Sequence, residues 1–318
     1  MSQDNRKVSV CLMTYNGAAT VERALTTLLA QTYRDYELII SDDHSTDETL
    51  AICQRVAAGH KQVRFIRPRQ NLGAEHNMKF ALSHSRGKYF VWACQDDYWE
   101  PDFLRELVKV LEETPTAVSA QGGIRWISED GARARELRLY GRDRPERQSR
   151  LALAISMLTA HSREKNIELR KNVLKNNIFM HGVLDRAAFA AALEAQRNAI
   201  TTDRQILCQL ALAGEFRYVD RILLNKVFYD VKLHKRRPAT DTTVMAKVRS
   251  NRWLVLWGTL VAIVRSRTVT MPMKVVALPV LFSAYCWRRL RIKSLEPHNL
   301  IKTFRGVLRA PIMARRKD

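Results

Sequence analysis

The chain begins with a short apolar run, Val8-Ser9-Val10-Cys11-Leu12-Met13, whose composition predicts a buried strand. Thr14-Tyr15-Asn16-Gly17 follows as a turn, since Asn-Gly breaks regular structure strongly. Over 18–30 the apolar positions (Val21, Ala24, Leu25, Leu28, Leu29) change to helical spacing. A second strand is predicted at 36–41. The polar stretch after it contains Ser45 and Glu48 at capping-box spacing, which predicts a helix to about residue 58. Strand 63–67, helix 74–85 and strand 89–93 complete the pattern. The last strand stops abruptly at Gln95-Asp96-Asp97, and Pro101 suits the first position of a helix over 102–113.

Strand and helix alternating with short links predict an α/β fold with a doubly wound, mainly parallel sheet. Such sheets bind ligands at the carboxyl ends of their strands. The polar clusters 14–17, 42–47 and 95–97 all fall there, so the topology should bring them together. Asp96 and Asp97 end a buried strand, where two adjacent carboxylates are costly unless neutralised. A hard divalent cation, Mn2+ or Mg2+, would do this. Capping of the following helix is the alternative for the same pair.

Beyond a fifth strand at 117–121 the periodicity loosens. Residues 133–150 are arginine-dense and predict a solvated, mobile loop. A helix near 186–195, a helix over 206–213 and short strands at 216–220 and 223–229 follow. Two apolar segments, 253–264 and 275–287, are flanked by Arg249, Arg252, Arg265, Arg267, Lys274, Arg288, Arg289 and Arg291. Each is shorter than the roughly 20 residues of a spanning helix. Tryptophan and dense basic flanks fit helices lying in an anionic membrane interface; packing on the body of the protein is the alternative.

Composition sharpens this division. The 318 residues carry a formal net charge of +21 and are 46% hydrophobic, so a folded core is expected rather than disorder. From Val231 onward 20 lysines and arginines face three acids, a net +17, leaving about +4 for the preceding 230 residues. A polyanionic partner is therefore expected for the basic appendage alone. Nucleic acid is one candidate, but the aromatic residues sit inside the apolar runs instead of alternating with lysine and arginine. Five cysteines without a CxxC pair predict reduced thiols, with Cys11 and Cys53 in the core, and no signal peptide is read at the amino end. No GxGxxG follows the first strand, which disfavours a dinucleotide-binding dehydrogenase.

The segments VSVCLMTYNG, LAQTYRDYELIISDDHSTDET and NLGAEHNMKFALSHSRGKYFVWACQDDYW, in that order, resemble the family 2 glycosyltransferases. The likeness covers roughly 8–118 and continues weakly to about 234. QDDYW preceded by NLGAEHN is most similar to the bacterial rhamnosyltransferase-like branch. The resemblance implies a GT-A fold over 1–235, with 236–318 a basic, helical, membrane-associating appendage. It implies that Thr14, Tyr15, Asn16, Asp42, Asp43 and Asp96 bind the nucleotide, with Asp43 accepting from a uracil or thymine imide. It implies that Asp97 contacts the metal and that Asp203, opening a helix after Thr202, is the catalytic base. His181, Trp126 and His234 are candidate acceptor or diphosphate contacts, and Asn77 is a candidate near the donor.

One departure is His44, where the family usually has glycine. The implied reaction is inverting hexosyl or deoxyhexosyl transfer from a UDP- or dTDP-sugar to a glycan or glycolipid acceptor of a surface polysaccharide (lipopolysaccharide, O-antigen or capsule). The implied setting is the cytoplasmic face of the membrane, with no nucleic-acid partner.

Overall fold

A computed structural model describes residues 7–140, 144–159, 178–196, 203–228 and 252–290. Its first half alternates strand and helix as the periodicity predicts: β1 (Val8–Thr14), α1 (Val21–Leu29), β2 (Tyr36–Asp42), α2 (Thr49–Val56), β3 (Val63–Ile66), α3 (Ala74–His84) and β4 (Tyr89–Cys94). The second half comprises β5 (Tyr98–Trp99), α4 (Phe103–Glu112), β6 (Ala117–Ser128), β7 (Ala134–Leu137), α5 (Arg150–Thr159), β8 (Val183–Asp185), α6 (Arg186–Ala195), α7 (Asp203–Ala213), β9 (Glu215–Phe228), α8 (Arg252–Arg265) and α9 (Met271–Leu290). Short 3-10 turns lie at Pro145–Arg147 and Ile178–His181.

The strands form one sheet in the order β3-β2-β1-β4-β8-β6-β9-β5, with β7 beside β6. From β3 to β4 every pairing is parallel. Beyond β4 the sheet is mixed: β8 runs antiparallel to both β4 and β6, β9 parallel to β6, and β5 antiparallel to β9. β1 and β2 are buried at nearly every position, which is why their sequences read as continuous apolar runs. Cys11 and Cys53 are fully buried core residues, as expected.

Several local expectations shift. No capping box forms at Ser45 and Glu48: α2 starts at Thr49, whose amide donates to Asp47 Oδ1 (3.0 Å), while Ser45 donates to Asp42. Pro101 precedes the α4 cap residue, Asp102, and does not open the helix. The predicted strands 216–220 and 223–229 are one strand, β9, carried past the irregular register at Gly122 and Gly123 of β6. The arginine-dense stretch is not a free loop. It contributes β7, and Arg138 and Arg144 both pair with Asp220 (3.5 and 2.8 Å).

Helices α8 and α9 pack on each other; α8 also packs on α6 and α7, and α9 on α5. Their buried residues, among them Leu256, Ile263, Val276, Val280 and Leu281, join the same hydrophobic cluster as the sheet. The packing alternative therefore describes one face of this pair. No helix among the described residues is long and apolar enough to cross a membrane.

The lower end of the sheet is closed by Glu112 of α4. It accepts from Lys7 Nζ and Lys88 Nζ (2.9 Å each) and from the Tyr89 hydroxyl. Those bonds, Tyr89 first, hold its pKa down at about 2 against an ordinary 4.5. A depressed carboxylate adds stability above its unfolded pKa and loses it as pH falls toward the folded value. Glu112→Gln is therefore expected to lower unfolding free energy at pH 7 by about 1 kcal/mol, a figure reduced for solvent screening. In chemical denaturation the gap to the parent should close between pH 4.5 and about 2.

Candidate active site

The carboxyl ends of β1, β2 and β4 do converge. Thr14 and Asp42 are register partners at the ends of β1 and β2, and the Thr14 hydroxyl donates to Asp42 Oδ1 (3.2 Å). Asp42 is 1% exposed and fully engaged. It also accepts from the Ser45 amide (3.1 Å) and hydroxyl (2.5 Å), and Arg67 Nε stands 3.3 Å away. Asp43 accepts from the amides of Leu72 (2.7 Å) and Gly73 (2.8 Å), which fixes the turn into α3. Each of its oxygens keeps a second lone pair.

His44 adopts φ 67°, the left-handed region that a glycine would occupy, and its Nε2 meets the Arg69 carbonyl at 2.9 Å. The departure from the family pattern thus preserves the turn. Asn77 is buried and bonds the Ser41 hydroxyl (2.6 Å) and carbonyl (3.1 Å), which locks α3 to β2.

The β1 turn is clamped to the end of β4. Gln95 Oε1 accepts from the Tyr15 amide (2.9 Å) and its Nε2 donates to the Tyr15 carbonyl (3.0 Å). Asn16, at φ 45°, donates its amide to Ser45 Oγ (3.0 Å) and accepts from the Thr46 amide (2.9 Å). These bonds leave the Tyr15 ring 40% exposed at the rim.

Asp97 and its surroundings come from four separate segments. Asp97 N–H donates to the Cys94 carbonyl (3.2 Å), turning the chain into β5. β5 pairs antiparallel with β9, Tyr98 opposite Asn225, which brings Asp97 against Lys226. Lys226 Nζ donates to Asp97 Oδ2 at 2.5 Å, and lies 5.7 Å from the centre of the Trp126 ring, its register partner on β6. Gln121 donates to the Ile178 carbonyl (2.8 Å), which seats His181 over the same spot. Ligand atoms of Cys94, Asp97 and His181 lie within 4.8 Å of one another.

Burial pushes the Asp97 carboxyl up to about 6, against the pull of Lys226. Burial alone would depress the Lys226 ammonium, but Asp97 outweighs it and holds the pKa above that of an ordinary lysine. Burial, with Lys226 adding to it, drives His181 well below an ordinary histidine, and its buried Nδ1 has no partner among the described residues. The Cys94 thiol is pushed up to about 12, first by burial and then by Asp97. Asp96, half-buried beside this group, has no hydrogen-bond or ion-pair partner among the described residues.

Asp203 is exposed at the first position of α7, and its charge is felt at Cys94. The structure therefore gathers Asp96, Asp97, Trp126, His181 and Asp203 around the end of β4. His234 lies outside the described residues.

Sequence reasoning missed Lys226. Its one signal was a lone cation in the apolar run Ile222-Leu223-Leu224-Asn225-Lys226-Val227-Phe228. Cys94 was also missed as a site residue, since a single cysteine in a strand reads as core.

The family profile described as Glycosyl transferase family 2 matches residues 9–180, more than half of the chain. The chain belongs to that family. An uncharacterized glycosyltransferase of Haemophilus influenzae is 30% identical over 106 residues, 33% of this chain and 33% of that protein. The putative glycosyltransferase EpsE of Bacillus subtilis is 34% identical over 108 residues, 34% of this chain and 39% of that protein. The matched stretch is thus between about a third and two fifths of each relative's length. Among solved structures, S. aureus TarS 1–349 in complex with UDP superposes with a TM-score of 0.58 at 15% identity, covering 90% of this chain and 72% of that one. A second TarS structure, in complex with UDP-GlcNAc, gives 0.57 at 15% identity, covering 94% and 79%. The fold is that of the GT-A glycosyltransferases.

Gly17 lies against the Gln95 side chain, and a Cβ there would run into the Gln95 amide. Gly17→Ala is expected to break the Tyr15–Gln95 clamp and cost about 1–2 kcal/mol. A urea titration showing an unchanged midpoint would contradict this account of the turn.

Proposed function

We propose that the protein transfers a sugar from a nucleotide-sugar to an acceptor hydroxyl by one inverting displacement. The observation that carries this reading is the position of Asp97. It is a buried carboxylate at the carboxyl end of β4, with Asp96 beside it and the β1 and β2 turns at the same sheet edge.

The donor base stacks on the exposed Tyr15 ring, with Thr14 and Asn16 shaping the turn beneath it. The free lone pairs of Asp43 accept from the base imide, and Asp42 fixes both turns from below. Asp96 takes the ribose. The uridine nucleotides in the TarS complexes support a UDP-sugar as donor, and dTDP offers the same imide. Asp203 accepts the proton of the acceptor hydroxyl as that oxygen bonds the anomeric carbon. The bond from that carbon to the diphosphate oxygen breaks on the opposite face. Trp126 and His181 wall the acceptor side.

The donor set fits a divalent ion, Mn2+ or Mg2+. Two adjacent carboxylates face one lysine, so the group is anionic before any diphosphate arrives, and the buried His181 Nδ1 lacks a partner among the described residues. Asp97 would hold the ion, which would neutralise charge gathering on the departing diphosphate.

The acceptor we propose is a lipid-linked surface glycan, reached at the cytoplasmic membrane face. On α8, Trp257 and Val264 are exposed; on α9, Met271, Val275 and Phe282 are exposed at helical spacing. These apolar stripes, bordered by exposed Arg265 and Arg267, suit an anionic bilayer surface.

Three measurements test the reading. Asp203→Asn should lower kcat by about 10²–10⁴ with donor affinity kept, whereas Asp97→Asn should abolish the metal dependence of donor binding. Parental rates in both variants would overturn the mechanism. Trp257→Asp combined with Phe282→Asp should abolish flotation with phosphatidylglycerol vesicles without altering the far-ultraviolet circular dichroism; retained flotation would exclude this face.

A further inference from the structure

Lys226 is a charged group in direct contact with Asp97 for which the proposed reaction has no task. Its side chain is 12% exposed, and its ammonium carries three N–H donors. Asp97 Oδ2 accepts one at 2.5 Å. Among the described residues no second acceptor serves the other two. The Trp126 ring lies beneath the ammonium, 5.7 Å away at its centre. Among the described residues the centre thus holds a largely buried ammonium with two donors that meet no acceptor, beside an Asp96 with no hydrogen-bond or ion-pair partner.

The charge balance says what those donors suit. Asp96 and Asp97 together outweigh Lys226 by one negative charge, and a nucleoside diphosphate adds at least two more. One divalent ion leaves a deficit of positive charge unless Lys226 serves the phosphates as well as Asp97. A lysine is suited to this, because its flexible stem lets a point charge reach oxygens that are not coplanar. β9 delivers it from the opposite half of the sheet to the turn clamped by Gln95, so it reaches the end of β4 from the side opposite β1.

We propose that Lys226 is a catalytic residue that contacts the donor diphosphate directly, one N–H on Asp97 and the others on phosphate oxygens. No bond is made or broken by this residue; it binds the charge that the breaking glycosidic bond leaves behind. It follows that discrimination of diphosphate from nucleoside persists when divalent ions are removed. The inference rests on the nucleotide-sugar reading above.

The test is calorimetric titration in EDTA with UDP and dTDP, and with uridine and thymidine. Because Lys226→Met alone would strand Asp97 as a buried, unpaired carboxylate, it is made in an Asp97→Asn background and compared with Asp97→Asn itself. Lys226→Arg serves as the charge-keeping control. The parent and Asp97→Asn should bind the diphosphate tighter than the nucleoside, and Lys226→Met should reduce that preference by about 10- to 100-fold. Nucleoside affinity should not change, and Lys226→Arg should retain part of the preference. An unchanged ratio, or equal losses for nucleoside and diphosphate, would overturn the role of Lys226 while leaving the donor reading intact. A parent that binds neither nucleotide nor nucleoside, with or without Mn2+, would overturn the donor reading and this inference together.

Discussion

A buried aspartate facing a buried lysine is the contact on which the site depends. Neither charge could stay at the end of β4 alone, since an isolated ion in that setting costs several kcal/mol. The pair exists because a strand of only two residues, β5, catches the edge of β9 and holds Asp97 opposite Lys226. The chain thus passes from β4, the last strand of the parallel half, to the far edge of the mixed half. The groups near the end of β4 therefore come from both halves: Tyr15 and Asp96 from one, Trp126, Lys226 and His181 from the other.

The same edge shows how polar residues divide between holding and acting. Asp42, Asn77, Ser45 and Gln95 are engaged in hydrogen bonds within the fold, and the turns they fix carry the groups left facing the cleft. An anion held by several donors is poorly suited to chemistry, because its lone pairs are already satisfied. Asp96 stands differently: it is half-buried, with no hydrogen-bond or ion-pair partner among the described residues. His44 belongs with the first group. It takes the left-handed conformation at some local cost, and its ring offsets part of it by bonding the Arg69 carbonyl.

Packing on the body and presenting an apolar surface are compatible in α8 and α9. Each helix is apolar around much of its circumference, so burying one face still leaves a stripe outside. This is why the sequence supported both alternatives at once.

The sequence by itself determined the parallel half of the sheet, because a buried strand and an amphipathic helix each impose a period that the side chains record directly. It also placed the polar clusters at the ends of β1, β2 and β4 on one edge of the sheet, since a polar cluster directly after an apolar run marks where a buried strand leaves the core. The tertiary structure alone decided that Lys226 would face Asp97, that Cys94 and His181 would join them, and that β9 would run unbroken through residues 215–228. Those outcomes depend on register across strands far apart in sequence, and no local period encodes which residue stands opposite which. A lone lysine in an apolar run signals that something must compensate it; only the fold says what.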